Sequence, residues 1–178
     1  INDSNYGNNI LLTSDAATNI MKAGIIAAKR DNKTGSDGIA DQAEIMTLRI
    51  CTREGEPYLK DMALAIHYAV SHGADVIVLP EQNMLYPEEQ KQWIIHELKE
   101  AEKKGAIVIV PAWNTSIDMD KVEFFPNRKM SKDKELTNLM IVASSDKKGN
   151  PVMDTNYGAN TLDIYAPGTD IYSAYMGD

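Results

Sequence analysis

Asp15-Ala16-Ala17-Thr18-Asn19-Ile20-Met21-Lys22-Ala23-Gly24-Ile25-Ile26-Ala27-Ala28 is the stretch on which the fold turns. Its second half, Ala23 to Ala28, is apolar all round, the pattern of a helix threaded through a core and not of one resting on a surface. Lys22 interrupts that pattern, and its expected placement has the stem buried and the ammonium in water. Downstream, the period alternates. Leu59, Met62, Ala63, Ile66, Ala69 and Val70 recur at helical spacing, and Gly73 then sits where a helix terminates. Ile94, Leu98 and Ala101 mark a second amphipathic helix, with Pro87 near its start and Gly105 after its end. Between and after them lie short, nearly unbroken apolar runs at Ile45–Ile50, Val76–Leu79, Ile107–Val110 and Leu139–Ala143. Such runs suit strands of a parallel sheet covered on both faces. The alternation predicts an α/β fold: a doubly wound, mostly parallel sheet with helices on both faces. Met119 to Glu135, with its Lys, Asp and Glu residues, Pro126 and Asn127, reads as a long polar surface loop.

Composition bounds the function. At 178 residues the chain is most simply one domain, residues 1–178, long enough to bury a core. Eighteen basic against 26 acidic residues give a net charge of −8, which argues against nucleic acid or an anionic membrane surface as partner. No apolar run approaches the length of a membrane span, and no signal peptide precedes Ile1. A start at Ile1 without methionine suggests trimming or a boundary set within a longer protein. The single Cys51 excludes an internal disulfide, and a capped or half-buried thiol is the expectation there.

The same stretch resembles the central helix of the subtilisin-like serine peptidases, which opens with His-Gly-Thr-His-Val and continues as Ala-Gly-Ile-Ile-Ala-Ala. Further segments follow in that family's order. Arg30 to Asp41 resembles the loop before its next strand, Ala43 to Ile50. Asp61–Val70 and Gly73–Ile77 look like its next helix and strand. Gly105 to Asn114 is similar to the strand that ends in Ala-Ala-Gly-Asn. Ile141–Asp146, Asn156-Tyr157-Gly158 and Asp163–Gly168 then come in sequence. The resemblance therefore covers nearly the whole chain, and the chain is identified as a truncated, degenerate member of that family.

What the resemblance implies about chemistry is mostly loss. Thr18 stands where the catalytic histidine belongs, and a threonine hydroxyl cannot take a proton from serine near neutral pH. The family's triad runs Asp, His, Ser along the chain. Its aspartate strand should precede the region around Tyr6–Asn9, and Asp3 and Asp15 lie too close to the helix to belong to it. The Gly-Thr-Ser-Met-Ala nucleophile motif should follow Ala166-Pro167-Gly168 and does not occur among these residues. Ser173 falls in the Ile-Tyr-Ser before that motif, not in it. Asn114 is the retained oxyanion-hole position. Trp113 replaces the glycine before it. Pro80 and Glu81 stand on the strand that in relatives pairs with substrate, where a missing donor and a charge make a poor peptide receiver. The expectation is a domain that does not hydrolyse peptides and that binds or assembles instead, with a peptide or protein as partner. The alternative is an active serine endopeptidase whose aspartate strand and serine motif lie outside these residues.

Other chemistry is sparse. His67 and His72 are five apart and share no helix face, His96 lies on the other helix, and no metal site is expected from them. No cofactor is expected beyond one candidate, calcium in the Asp31–Asp41 loop, which some relatives bind in the corresponding loop; its spacing matches no EF-hand. The resemblance points to a secreted or cell-envelope setting. It also places the absent aspartate strand between Ile45–Ile50 and Val76–Leu79. The expectation is that these two close up and pair directly, or that residues 1–12 or a second copy in a homo-oligomer fill the slot.

Overall fold

The computed structural model describes residues 17–50, 58–80, 86–129 and 135–175. Asp3, Asp15, the 1–12 segment, Cys51 and Glu81 lie outside the described residues. The chain falls into two compact units, one drawn from residues 1–56 with 172–178 and the other spanning residues 57–171.

The first unit carries helix α1, Ala17–Ala27. Gly24 is buried because the chain's return through Ser173 and Ala174 passes so close that a Cβ would stand 2.6 Å from Ser173 Oγ. Apart from Gly24 the helix is at most half-buried, Lys22 included. The loop after α1 folds back under it. Gly38, Ile39 and Ala40 donate their N–H groups to the carbonyls of Ala28, Ile25 and Ile26. Ile45–Ile50 forms no strand, and Ile45 and Met46 are exposed. The strand expected there is corrected by this finding: an apolar run becomes a strand only against a ladder partner, and none of the described strands pairs with it.

The second unit alternates helix and strand: α2 Leu59–Ser71, β1 Val76–Val78, α3 Glu88–Lys104, β2 Ile107–Pro111, β3 Leu139–Ser145 and β4 Ile164–Pro167. The four strands form one parallel sheet in the order β1-β2-β3-β4. The fold is α/β with a parallel sheet. Helix α3 packs on β2, and α2 packs against α3. Their apolar stripes, Leu59, Met62, Ile66 on α2 and Ile94, Leu98, Ala101 on α3, are buried, as are Ile77, Val108, Val110, Ile141 and Ala143 of the sheet. Glycine ends α3 as the spacing implies: Gly105 sits at φ 78°, a left-handed conformation that strains any residue with a Cβ. Nearly unbroken apolar runs imply cover on both faces of the sheet. The helices supply it on one face; on the other, Val76, Val78, Ile107, Met140 and Ile164 remain 39–51% exposed.

Among the described strands β1 pairs with β2 alone, and with no strand at Ile45–Ile50 the expected strand-to-strand closure has only one of its two members. The described part of the Met119–Glu135 segment, residues 119–129 and 135, is a loop, as expected, but it is not a surface one. Phe124, Phe125, Pro126 and Asn127 are buried, and Met119 and Leu136 at its ends are buried too. The buried Lys91 of α3 ties it down, paired with Glu88 and Glu123 and lying 5.6 Å from the Phe125 ring centroid.

Candidate functional site

Thr18 lies in the first turn of α1, exposed. Its hydroxyl is a weak acid and a very weak base, so the position presents no group that titrates near neutral pH. Ser173 belongs to the same unit. Its hydroxyl donates to the Met21 carbonyl at 2.6 Å, so it fastens the chain to α1 and is not displayed toward a substrate.

Asn114 belongs to the other unit, in the turn that follows β2, and is exposed beside the half-buried Trp113. Pro80 is half-buried two residues past the end of β1, where Leu79 N–H still donates to the Ile109 carbonyl at 2.9 Å. The turn carrying Asn114 is held from beneath by Asn156, which is fully buried. Asn156 Oδ1 accepts from the Thr115 N–H at 3.1 Å, the Thr115 hydroxyl at 2.9 Å and the Ile117 N–H at 3.0 Å. Its own N–H donates to the Trp113 carbonyl at 2.7 Å. Sequence reading took Asn156-Tyr157-Gly158 only as a segment in the family's order and gave Asn156 no role of its own. The one signal was a polar amide at a place where the chain returns to the end of a buried strand.

A second clasp lies farther along. Asp120 accepts from the Thr161 hydroxyl at 2.8 Å and N–H at 3.0 Å, and from the Asn160 N–H and side-chain amide. These donors, the Thr161 hydroxyl foremost, hold the Asp120 carboxyl below its ordinary 3.8. A depressed folded value gives stability that is present above the ordinary one and is lost as pH falls through the folded one. Unfolding monitored by tryptophan fluorescence should therefore show an acid limb below about pH 4 that Asp120→Asn flattens. An acid limb unchanged in the variant rules this out.

The remaining candidates are spent on local structure. His67 Nδ1 meets Glu97 Oε2 at 3.1 Å, and His72 caps α2 with Nδ1 at 2.8 Å from the Tyr68 carbonyl and its ring stacked on Tyr68. Among the described residues no three His, Cys, Asp or Glu side chains gather as a metal-binding group. In the Asp31–Asp41 loop, Arg30 donates to the Gly38 and Ile39 carbonyls at 2.6 and 3.0 Å. Asp37 Oδ1 accepts the Asp31 N–H. Among the described residues no helix is long and apolar enough to cross a membrane.

Comparison with known proteins places these observations. Residues 19–177 match the model of the subtilase family. A thermophilic serine proteinase from Bacillus sp. (strain AK1) is 31% identical over 88% of this chain and 35% of its own length. Thermitase from Thermoactinomyces vulgaris is 31% identical over 86% of this chain and 50% of its own. The chain thus spans half or less of the length of these relatives. Among solved structures, the prenylagaramide maturation protease PagA superposes with a TM-score of 0.75 at 23% identity, over 93% of this chain and 57% of its own. The epidermin leader peptide processing serine protease of Staphylococcus aureus gives 0.68 at 23% identity, over 83% and 38%. At that identity the likeness speaks for the fold. The family match spans almost every residue from α1 onward, in the order the motifs occur, and this chain belongs to the subtilase family.

Proposed function

We propose that this domain binds peptide without hydrolysing it, presenting the Asn114 amide to a backbone carbonyl. The observation that carries the reading is Thr18. By the resemblance of the α1 stretch to the family's central helix it stands at the position of the general base, and no hydroxyl does that work at neutral pH. Without a base a serine is not activated, and an oxyanion donor such as Asn114 has no tetrahedral intermediate to stabilise. What such a donor still does is bind an ordinary carbonyl. Peptide is the ligand class because the relatives are proteinases and the structural neighbours are named for maturation and leader-peptide processing. A secreted or cell-envelope setting accords with this reading, and a homo-oligomer is left to measurement.

A second reading has one observation in its favour. The chain spans half or less of its relatives, so an aspartate strand and a serine motif belonging to the same protein would restore two members of a triad. Thr18 counts against it, because the third member would still be missing. The deciding experiment treats the protein with a fluorophosphonate probe and with casein. No labelling and no cleavage are expected. Stoichiometric labelling of a serine would sink the proposal.

A further inference from the structure

We propose that Asn156 is a positioning residue for Asn114: it fixes the backbone on both sides of Asn114 and so aims the amide. The proposal rests on the reading of Asn114 as the group that meets a peptide carbonyl. Asn156 holds Trp113 through its own N–H and Thr115 through Oδ1, the residues immediately before and after Asn114. The far side of the turn has other anchors. Ser116 N–H donates to the Asp154 carbonyl at 2.9 Å, its hydroxyl to the Met153 carbonyl at 3.2 Å, and Tyr157 N–H to the Ile117 carbonyl at 3.1 Å. Trp113 is tied through the Asn156 backbone N–H, which any residue but proline supplies, and Thr115 through the Asn156 side chain. One oxygen serves three donors, so its loss would orphan all three at once.

Two further facts separate this from ordinary packing. The amide orientation is settled, because the reverse one would set an NH2 against two backbone N–H donors. That orientation leaves Asn156 Nδ2 buried with no partner among the described residues. A position chosen for packing alone would hold an apolar residue of the same volume and carry no unpaired donor. Asn156 accepts that cost and in return holds a turn whose exposed member is Asn114. A donor contributes to recognition only when its direction is fixed beforehand, since otherwise ordering it consumes the gain.

The test uses the whole chain and no ligand. Amide hydrogen exchange and 15N relaxation are measured on the native protein, Asn156→Leu and Asn156→Asp. Leucine keeps the volume and removes the acceptor; aspartate keeps an acceptor oxygen in place. In Asn156→Leu the Thr115 and Ile117 amides should exchange about tenfold faster or more, and the Asn114 order parameter should fall. Ile141 and Ala143 in β3 should stay protected, and Asn156→Asp should restore protection at Thr115 and Ile117. Unchanged order at Asn114 in the leucine variant, or equal loss in both variants, overturns the proposal. Should the leucine variant fail to fold, Thr115→Val removes one of the three donors. It is expected to speed exchange at Asn114 and Thr115, and no change there overturns the proposal as well. None of these readouts involves cleavage or a bound peptide. A wrong reading of hydrolysis would appear only as probe labelling, and a wrong role for Asn156 only here.

Discussion

Replacing Thr18 by histidine should leave casein and a peptide ester uncleaved. An imidazole at the first turn of α1 supplies a base with the right titration range, but it has nothing to act on. Among these 178 residues no Gly-Thr-Ser motif occurs, and Ser173, near where it would begin, spends its hydroxyl on the Met21 carbonyl. An imidazole also needs an acceptor to hold the productive tautomer, which the family obtains from its aspartate strand. Triad members act as a unit. In subtilisin, a member of the same family, losing the base alone costs about 10⁶ in kcat, nearly as much as losing all three. The same coupling that makes one loss ruinous makes one restoration useless. If a longer form of the protein brings an aspartate strand and a serine, the expectation reverses in an informative way: native Thr18 should stay inactive and Thr18→His should gain activity. The measurement is single-turnover cleavage of a chromogenic peptide ester, native against variant. Cleavage above background by Thr18→His in this chain would mean that a nucleophile stands among residues assigned here to structure.

Legibility of the chain followed the range of the interaction that fixes each part. The helices α2 and α3 were readable because their apolar residues repeat along one face and their ends carry local signals, such as Gly105 at φ 78°. Strands β1, β2 and β3 were readable for the same reason, as apolar runs between those helices. Ile45–Ile50 was read the same way, yet it carries Thr47 and Arg49 and forms no strand, because pairing depends on a neighbour that no local pattern encodes. The site divided the same way. The resemblance assigns Thr18 and Asn114 through their flanking motifs, whereas Asn156 acts across about 40 residues on Thr115 and Ile117, a contact that no local pattern announces. The Met119–Glu135 loop misled through its charges. Lys121 and Glu123 are exposed as charge suggests, but the two phenylalanines beside them set the loop's energetics.

Phe124→Ala should therefore be among the most destabilising single substitutions in this unit, at about 3–5 kcal/mol. Phe124 is 2% exposed and stands among the largest fully buried side chains, in a segment without helix or strand. Its deletion removes the transfer free energy of a phenyl ring and leaves a cavity that the neighbouring buried Phe125 and Pro126 can only partly close. If the segment were the polar surface loop that its charges suggest, the change would stay within about 0.5 kcal/mol. Val122→Ala, two residues earlier at 37% exposure, is the internal control and should stay within that range. Tryptophan fluorescence reads the relevant unit alone, because Trp93 and Trp113, the chain's two tryptophans, both fall within residues 57–171. Urea unfolding at constant m would then separate the two expectations by a shift of more than 1 M in midpoint for a slope of about 1–3 kcal/mol/M. A shift as small as that of Val122→Ala would mean that the Phe124 contact contributes nothing in solution, and that the turn-rich segment stands apart from the core it covers. The larger shift would show an irregular segment anchored as firmly as the helices. Much of its stability would then come from two aromatic rings and the buried Lys91 beside Phe125.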